Sequence, residues 1–317
     1  MKIKLIFVLM ASLVAVSLLG CSNSTSKANA DLTKKVTVTA DTDIKKAESN
    51  ESEKKSIKDL PSSDTFFSVK ISDNTIRIHG KSGELMYLVE GTEKAALIDT
   101  GSGDGNLREY VEKITSKQII VLLTHGHEDH ASGASDFNEV YMNHADHPIY
   151  IEHVYDKLKG KAKPASDYKA LKSGDVFDLG GTTLEIFSAA GHTPGQMAIL
   201  FREARILLLG DAANNFTFLD KSSFGISEYE KSMKDLLAKT EGRFDKVYSS
   251  HGSGDAPKEI LAGVIQVCED IKAGRVDNEP FEFLGQQVLI AKKIDGLMNR
   301  MDGGVGNIVY IKEKISK

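Results

Sequence analysis

Four short polar blocks, each beside an apolar run, set the strongest constraint on how this chain folds. Thr124-His125-Gly126-His127-Glu128-Asp129-His130 directly follows Ile119-Ile120-Val121-Leu122-Leu123. Gly191-His192-Thr193-Pro194-Gly195, Leu209-Gly210-Asp211 and Ser250-His251-Gly252 come later, also next to short hydrophobic stretches. Short uninterrupted apolar runs bounded by turn residues read as buried strands. The blocks therefore fall at strand ends, and the fold must be one in which several strand ends meet. Five of the nine histidines lie in these blocks.

In extended chain, residues i and i+2 point to the same side, so the imidazoles of His125 and His127 can converge on one ion. Asp129 and His130 follow as the chain turns and can face a second. His192, Asp211 and His251 arrive from the other strand ends. Imidazole with carboxylate suits zinc, with iron or manganese as alternatives. His79, His144, His147 and His153 stand outside the blocks and read as surface or satisfied core residues. The glycine-rich stretch 101–105 reads as a flexible loop beside the site.

The chain has 317 residues, 41% apolar and 27% charged, enough for a full globular core. Its formal net charge is −5. Lys2 and Lys4 are the only charged residues among the first 20, so the remainder is two charges more negative. Such an acidic chain lacks the cationic surface that nucleic-acid binding uses, and no nucleic-acid partner is expected. Lys2 and Lys4 precede an apolar stretch, residues 5–19, that is short for a membrane span and suited to a signal peptide. It ends in Leu18-Leu19-Gly20-Cys21, which resembles the bacterial lipobox; the resemblance implies cleavage after residue 20 and a lipidated Cys21 anchored on the outer side of the bacterial cell membrane. Residues 21–65 are polar and read as a flexible tether, with the folded domain spanning 66–317. The other cysteine, Cys268, then has no disulfide partner and reads as a buried small hydrophobe.

Within the domain the pattern predicts strands at 67–71, 75–79, 84–90, 94–99, 119–124, 140–142, 176–179, 183–188, 196–201, 205–209 and 246–249. It predicts helices at 106–115, 145–158, 227–240 and 257–273, with strand alternation returning over 281–313. Interleaved strands and helices argue for a layered α/β domain.

The blocks, in this order, resemble the metallo-β-lactamase superfamily pattern His-x-His-x-Asp-His, Gly-His-Thr-x-Gly, Gly-Asp and a late His, over about residues 66–255. The resemblance implies an αββα four-layer sandwich with the site at one edge between the sheets. It implies two divalent metal ions, most simply Zn2+. His125, His127 and His192 would hold one, Asp129, His130 and His251 the other, and Asp211 would bridge them. Asp99 matches a further family position and would hold a ligand imidazole or the ligand loop from behind. The implied activity is hydrolysis of a small ester, thioester or lactone by a water ionised between the metals, with Asp129 orienting it and moving a proton. Alternatives are a β-lactamase, a small-molecule phosphodiesterase, or a non-hydrolytic metal-binding or redox lipoprotein. Asp211 counts against the first, because zinc β-lactamases carry Cys or Ser at that position. The acidic chain counts against a nuclease, and His127 against the flavodiiron type, which has Glu there. The sequence fixes neither the substrate nor the oligomeric state.

Overall fold

The computed structural model describes residues Leu60 to Lys314. The expected signal segment, Cys21 and most of the expected tether lie outside the described residues. Leu60 already packs against the core, and the Tyr110 hydroxyl donates to the Pro61 carbonyl, so packed chain begins before the boundary at Phe66 that composition suggests. Among the described residues no helix is long and apolar enough to cross a membrane.

The first sheet has seven strands in sequence order: β1 (Phe67–Ser72), β2 (Thr75–His79), β3 (Leu85–Glu90), β4 (Lys94–Ile98), β5 (Gln118–Leu122), β6 (Val140–Met142) and β7 (Lys169–Ala170). β1 to β4 form an antiparallel meander, and β4 to β7 run parallel. Helices α1 (Leu107–Glu112), α2 (Glu128–Ala131) and α3 (His147–Tyr150) punctuate the parallel part.

The second sheet contains β8 (Val176–Asp178), β9 (Thr183–Ser188), β10 (Met197–Phe201), β11 (Ile206–Leu208), β13 (Lys246–Tyr248) and β14 (Asp255–Ala256), in the order β14-β13-β11-β10-β9-β8. A third, four-stranded sheet pairs β12 (Thr217–Leu219) with β17 (Ile308–Tyr310), then β16 (Gln286–Ile290) and β15 (Glu279–Phe283). Helices α4 (Ile226–Thr240) and α5 (Ile260–Lys272) complete the chain's larger elements.

Side-chain alternation explains the layering, because successive residues of a strand face opposite sides. In β4 and β5, Ala96, Ile98, Ile120 and Leu122 meet β9, β10 and β11 in a central core. Their neighbours Ala95, Leu97 and Val121 face a second core with α1 and the α3 segment. In β10 and β11, Ile199, Phe201, Ile206 and Leu208 enter the central core, while Ala198, Leu200 and Leu207 pack under α4 and α5. Strands buried on both faces read as unbroken apolar runs, which is why they were legible. The result is helix, sheet, sheet, helix, with the third sheet added against α5.

The predicted helix over 145–158 is broken into a 3-10 turn (His144–Asp146), α3, and a π-turn (Ile151–Tyr155). Pro148 stands in the first turn of α3, where its missing N–H costs nothing. The predicted helix over 106–115 is six residues long and ends at Glu112.

Candidate metal centre

Parallel pairing brings the polar blocks together. β4 and β5 run side by side with Ile98 opposite Leu122, so Asp99 and the Thr124–His130 block leave the same edge. β11 and β13 pair in parallel with Leu208 opposite Tyr248, which places Asp211 beside His251. The sheets are stitched at this edge by Met197 N donating to Thr124 O at 2.8 Å and Leu85 N donating to Ser250 O at 2.9 Å. Gly210 makes the approach possible: its φ is +57°, and a Cβ would lie 2.7 Å from the Gln196 amide nitrogen.

All seven expected ligand side chains meet here. His125 Nε2 and His192 Nε2 each lie 3.0 Å from His127 Nδ1. His125, His130 and Asp211 form a second group of converging ligand atoms, and Asp129, His130 and His251 a third. Asp211 Oδ2 is 3.1 Å from His251 Nε2, 3.7 Å from His130 Nε2 and 3.8 Å from His192 Nε2, so its carboxylate sits among all three groups. Asp129 Oδ2 is 3.3 Å from His251 Nε2 and 3.5 Å from His130 Nε2, with its side chain one-third exposed at the mouth.

The residues fit a cation on two grounds. The His130 Nε2 and Asp211 Oδ1 atoms are buried without a hydrogen-bond partner, which a folded chain rarely tolerates unless something else satisfies them. The donor set, five imidazoles and two carboxylates, is the one borderline divalent metals prefer.

The electrostatics divide the site in two. Burial, reinforced by neighbouring imidazoles, holds His125 well below the usual histidine range and His127 at about 3, leaving both neutral and ready to donate lone pairs. On the other side burial opposes charge on His130 and His251, but Asp129 and Asp211 outweigh it. His130 is raised well above its ordinary value and His251 to about 10. Burial pushes the Asp129 and Asp211 carboxyls up, and the same two imidazoles more than reverse that. Protons on this half occupy the place a cation would take, so metal uptake releases them.

Asp99 stands behind the ligands. At φ 60° it is one of the few non-glycine residues in left-handed conformation. Its carboxylate accepts from Thr124 N at 2.7 Å and Thr124 Oγ1 at 2.8 Å, and meets His130 Nδ1 at 2.8 Å. The bond to His130 Nδ1 turns Nε2 toward the cluster. His192 is set the same way: its Nδ1 meets the Phe218 carbonyl at 2.7 Å, and Ser223 Oγ donates to its own carbonyl at 2.6 Å.

Two residues outside the expected set adjoin the site: Asp146, which the sequence did not mark, and His153, which it placed among the surface or core histidines. The fully buried Asp146 carboxylate accepts from Gly126 N at 2.9 Å, Thr193 Oγ1 at 2.7 Å and Gly195 N at 2.6 Å. It thereby ties the His125–His127 loop to the His192 loop. His153, on the π-turn, brings its ring to 4.8 Å from the His127 ring. Among the remaining histidines, the exposed His144 ring lies tilted 4.4 Å from that of His147, and His79 stacks on Phe67 at 4.2 Å.

A metallo-beta-lactamase superfamily profile matches residues 79–251. Among curated proteins, the chain is 25% identical over 204 residues to an atrochrysone carboxyl ACP thioesterase of Claviceps purpurea, covering 60% of this chain and 61% of that one. It is 25% identical over 201 residues to the acyl-coenzyme A thioesterase MBLAC2 of Homo sapiens, covering 52% and 72%. It spans less than two thirds of the first of these relatives. Among solved structures, a metallo-beta-lactamase from Pontibacter korlensis superposes with a TM-score of 0.52 at 18% identity, over 65% of this chain and all of the other; that likeness is one of fold. With more than half of the chain inside the profile, and with the matched strands bearing the histidine and aspartate blocks at their ends, the chain belongs to the metallo-beta-lactamase superfamily.

Proposed function

We propose that this protein is a metal-dependent hydrolase of acyl thioesters. The observation that carries the reading is the convergence of seven ligand side chains on an open edge, with Asp211 shared among the groups and Asp129 at the mouth. The thioesterase names of its relatives support the choice among ester, thioester and lactone. The site takes two divalent cations, zinc by donor chemistry, which would bring the pKa of a water toward about 7 and polarise the acyl carbonyl.

The chain's own residues do the rest. His125 and His127 stay neutral and with His192 would hold one position, while Asp129, His130 and His251 would define the other, with Asp211 shared between them. Asp99 and the Phe218 carbonyl lock the orientation of His130 and His192. Asp129, anchored against His130 and His251 yet partly exposed, orients the attacking water and accepts its proton. The water oxygen bonds to the acyl carbon, the carbon–sulfur bond breaks, and the thiolate leaves with the proton that Asp129 took up.

We further propose that the protein is a lipoprotein anchored through Cys21, on the strength of Leu18-Leu19-Gly20-Cys21. Incorporation of labelled fatty acid into wild type but not Cys21→Ala tests this.

The activity test is turnover of acetyl and hexanoyl thioesters by the zinc-loaded protein, beside a chromogenic cephalosporin and a phosphodiester, with metal content measured on the same sample. Thioester turnover abolished by Asp129→Ala is the expected result. A folded, metal-replete protein that hydrolyses the cephalosporin or phosphodiester and leaves thioesters untouched would overturn the reading.

A further inference from the structure

The third sheet has two unlike faces. Leu219, Ile308 and Tyr310 point into the core under α4 and α5. The opposite face carries Val288, Ile290, Val309 and Ile311, overlaid by Phe216, Phe218, Phe281 and Phe283. The rings touch edge to face, Phe216–Phe283 at 5.0 Å and Phe218–Phe283 at 5.1 Å between centroids. Each ring remains partly exposed, and among the described residues this cluster takes in no side chain from another sheet or from a helix.

Further apolar side chains lie on the chain adjoining this face. Ile294, on the arm after β16, packs against the same cluster. Four of the seven exposed large hydrophobics among the described residues are here: Leu284 at the β15–β16 tip, 76% exposed, and Leu297, Met298 and Met301 on the arm. Isolated exposed apolar residues mean little, but a contiguous patch marks a binding surface.

The chain links this face to the metal centre. From the ligand Asp211 the chain passes to Asn214, whose carbonyl accepts from Asn307 N at 3.1 Å, and Asn215, whose Oδ1 accepts from Gly306 N at 3.0 Å. It then forms β12, where Phe218 gives its carbonyl to His192 and its ring to the cluster. One strand both orients a ligand histidine and displays the aromatic face.

We propose that the phenylalanine face of the third sheet, extended by Leu284 and the 294–301 arm, binds the acyl chain of a long-chain thioester whose carbonyl lies at the ligand cluster. This rests on the thioesterase reading and adds the substrate's chain length to it. An aromatic strip leading away from the catalytic edge suits a flexible methylene chain, which gains by burial and asks for no polar partner. A membrane surface is the poorer occupant. The cations of the arm are engaged, Lys292 with Asp270 at 2.8 Å, Lys293 with Glu279 at 2.9 Å and Arg300 with Asp302 at 2.5 Å, so the arm itself offers no unpaired cation to anionic lipid.

The test is kcat/KM of the zinc-loaded protein for acetyl, hexanoyl, dodecanoyl and hexadecanoyl thioesters. Wild type should gain with length, by up to about fourfold for each methylene the face covers. Phe281→Gln/Phe283→Gln should lose at least about tenfold on dodecanoyl with acetyl turnover unchanged. Because that pair covers buried aliphatics, Leu284→Ser/Leu297→Ser provides a second variant on exposed positions, with loss expected on hexadecanoyl only. Calorimetric binding of hexadecanoate to the wild type, weakened in both variants, reads the same face without turnover. Thioester turnover that is independent of acyl chain length in wild type overturns this inference and leaves the thioesterase reading intact. Absence of all thioester turnover removes both. Variants that change only binding to phosphatidylglycerol vesicles assign the face to a membrane and overturn the acyl site.

Discussion

Replacing Asp146 probes how the two halves of the metal centre are held in register. The carboxylate accepts three hydrogen bonds, two of them from the backbone N–H groups of Gly126 and Gly195, and is itself fully buried. Asp146→Ala leaves both N–H groups without partners, at about 1–3 kcal/mol each. Allowing for the desolvation cost of the carboxylate that is no longer incurred, the net loss of stability should be about 3–5 kcal/mol. Asp146→Asn keeps the shape and one acceptor oxygen but turns an NH2 toward a donor, and should cost roughly 1.5–3 kcal/mol. Since Gly126 lies between two ligands and Thr193 beside a third, zinc affinity should fall about tenfold or more in the Asn variant. Urea unfolding of the metal-free protein measures the first quantity, and chelator competition the second. An Asn variant within experimental error of wild type in both would refute the idea that this carboxylate sets the spacing of the ligand loops. Gly195→Ala gives an independent check, because its Cβ would sit 2.7 Å from the Asp146 carboxyl carbon; it should mimic the loss.

His192→Ala removes one of the three converging imidazoles, and bound zinc measured by emission spectrometry should fall by about one per chain. Asp129→Ala should keep its circular dichroism spectrum while thioester turnover drops by about 10²–10⁴. Burial and the nearby Arg77 hold His79 at about 4, below the unfolded value near 6.5. Its contribution to stability is therefore present above pH 6.5 and lost as pH falls through 4. Discounted for partial exposure, that is roughly 1–2 kcal/mol, and His79→Phe should flatten urea midpoints over this window relative to wild type. Cys268 is fully buried, with burial pushing its thiol upward, so an aromatic disulfide reagent should label it only after unfolding.

The strands that carry ligands were legible because burial on both faces writes them as continuous apolar runs ending in polar blocks. Ile119 to Leu123 followed by the His125 block is the clearest case. Asp146 was not legible. It lies in a stretch with helical character, and nothing local marks an acid whose partners are 20 and 49 residues away. β12 was missed for a different reason: its three residues, Thr217 to Leu219, are too few to show alternation, and the strand exists because β17 offers it an edge. The helix over 145–158 was overdrawn because periodicity cannot distinguish α from π turns, and the π-turn is where His153 approaches His127.

Four of the seven converging side chains leave the first sheet and three the second, while the backbone joins those sheets at this edge by few hydrogen bonds. Cations seated there would therefore act as rivets across a seam. Their binding free energy becomes cohesion between the two halves, growing with the logarithm of free metal concentration. A chelator should then do more than silence the enzyme: it should let the seam breathe, and amide exchange at Met197 and Leu85, whose N–H groups cross it, would quicken before exchange elsewhere in either sheet.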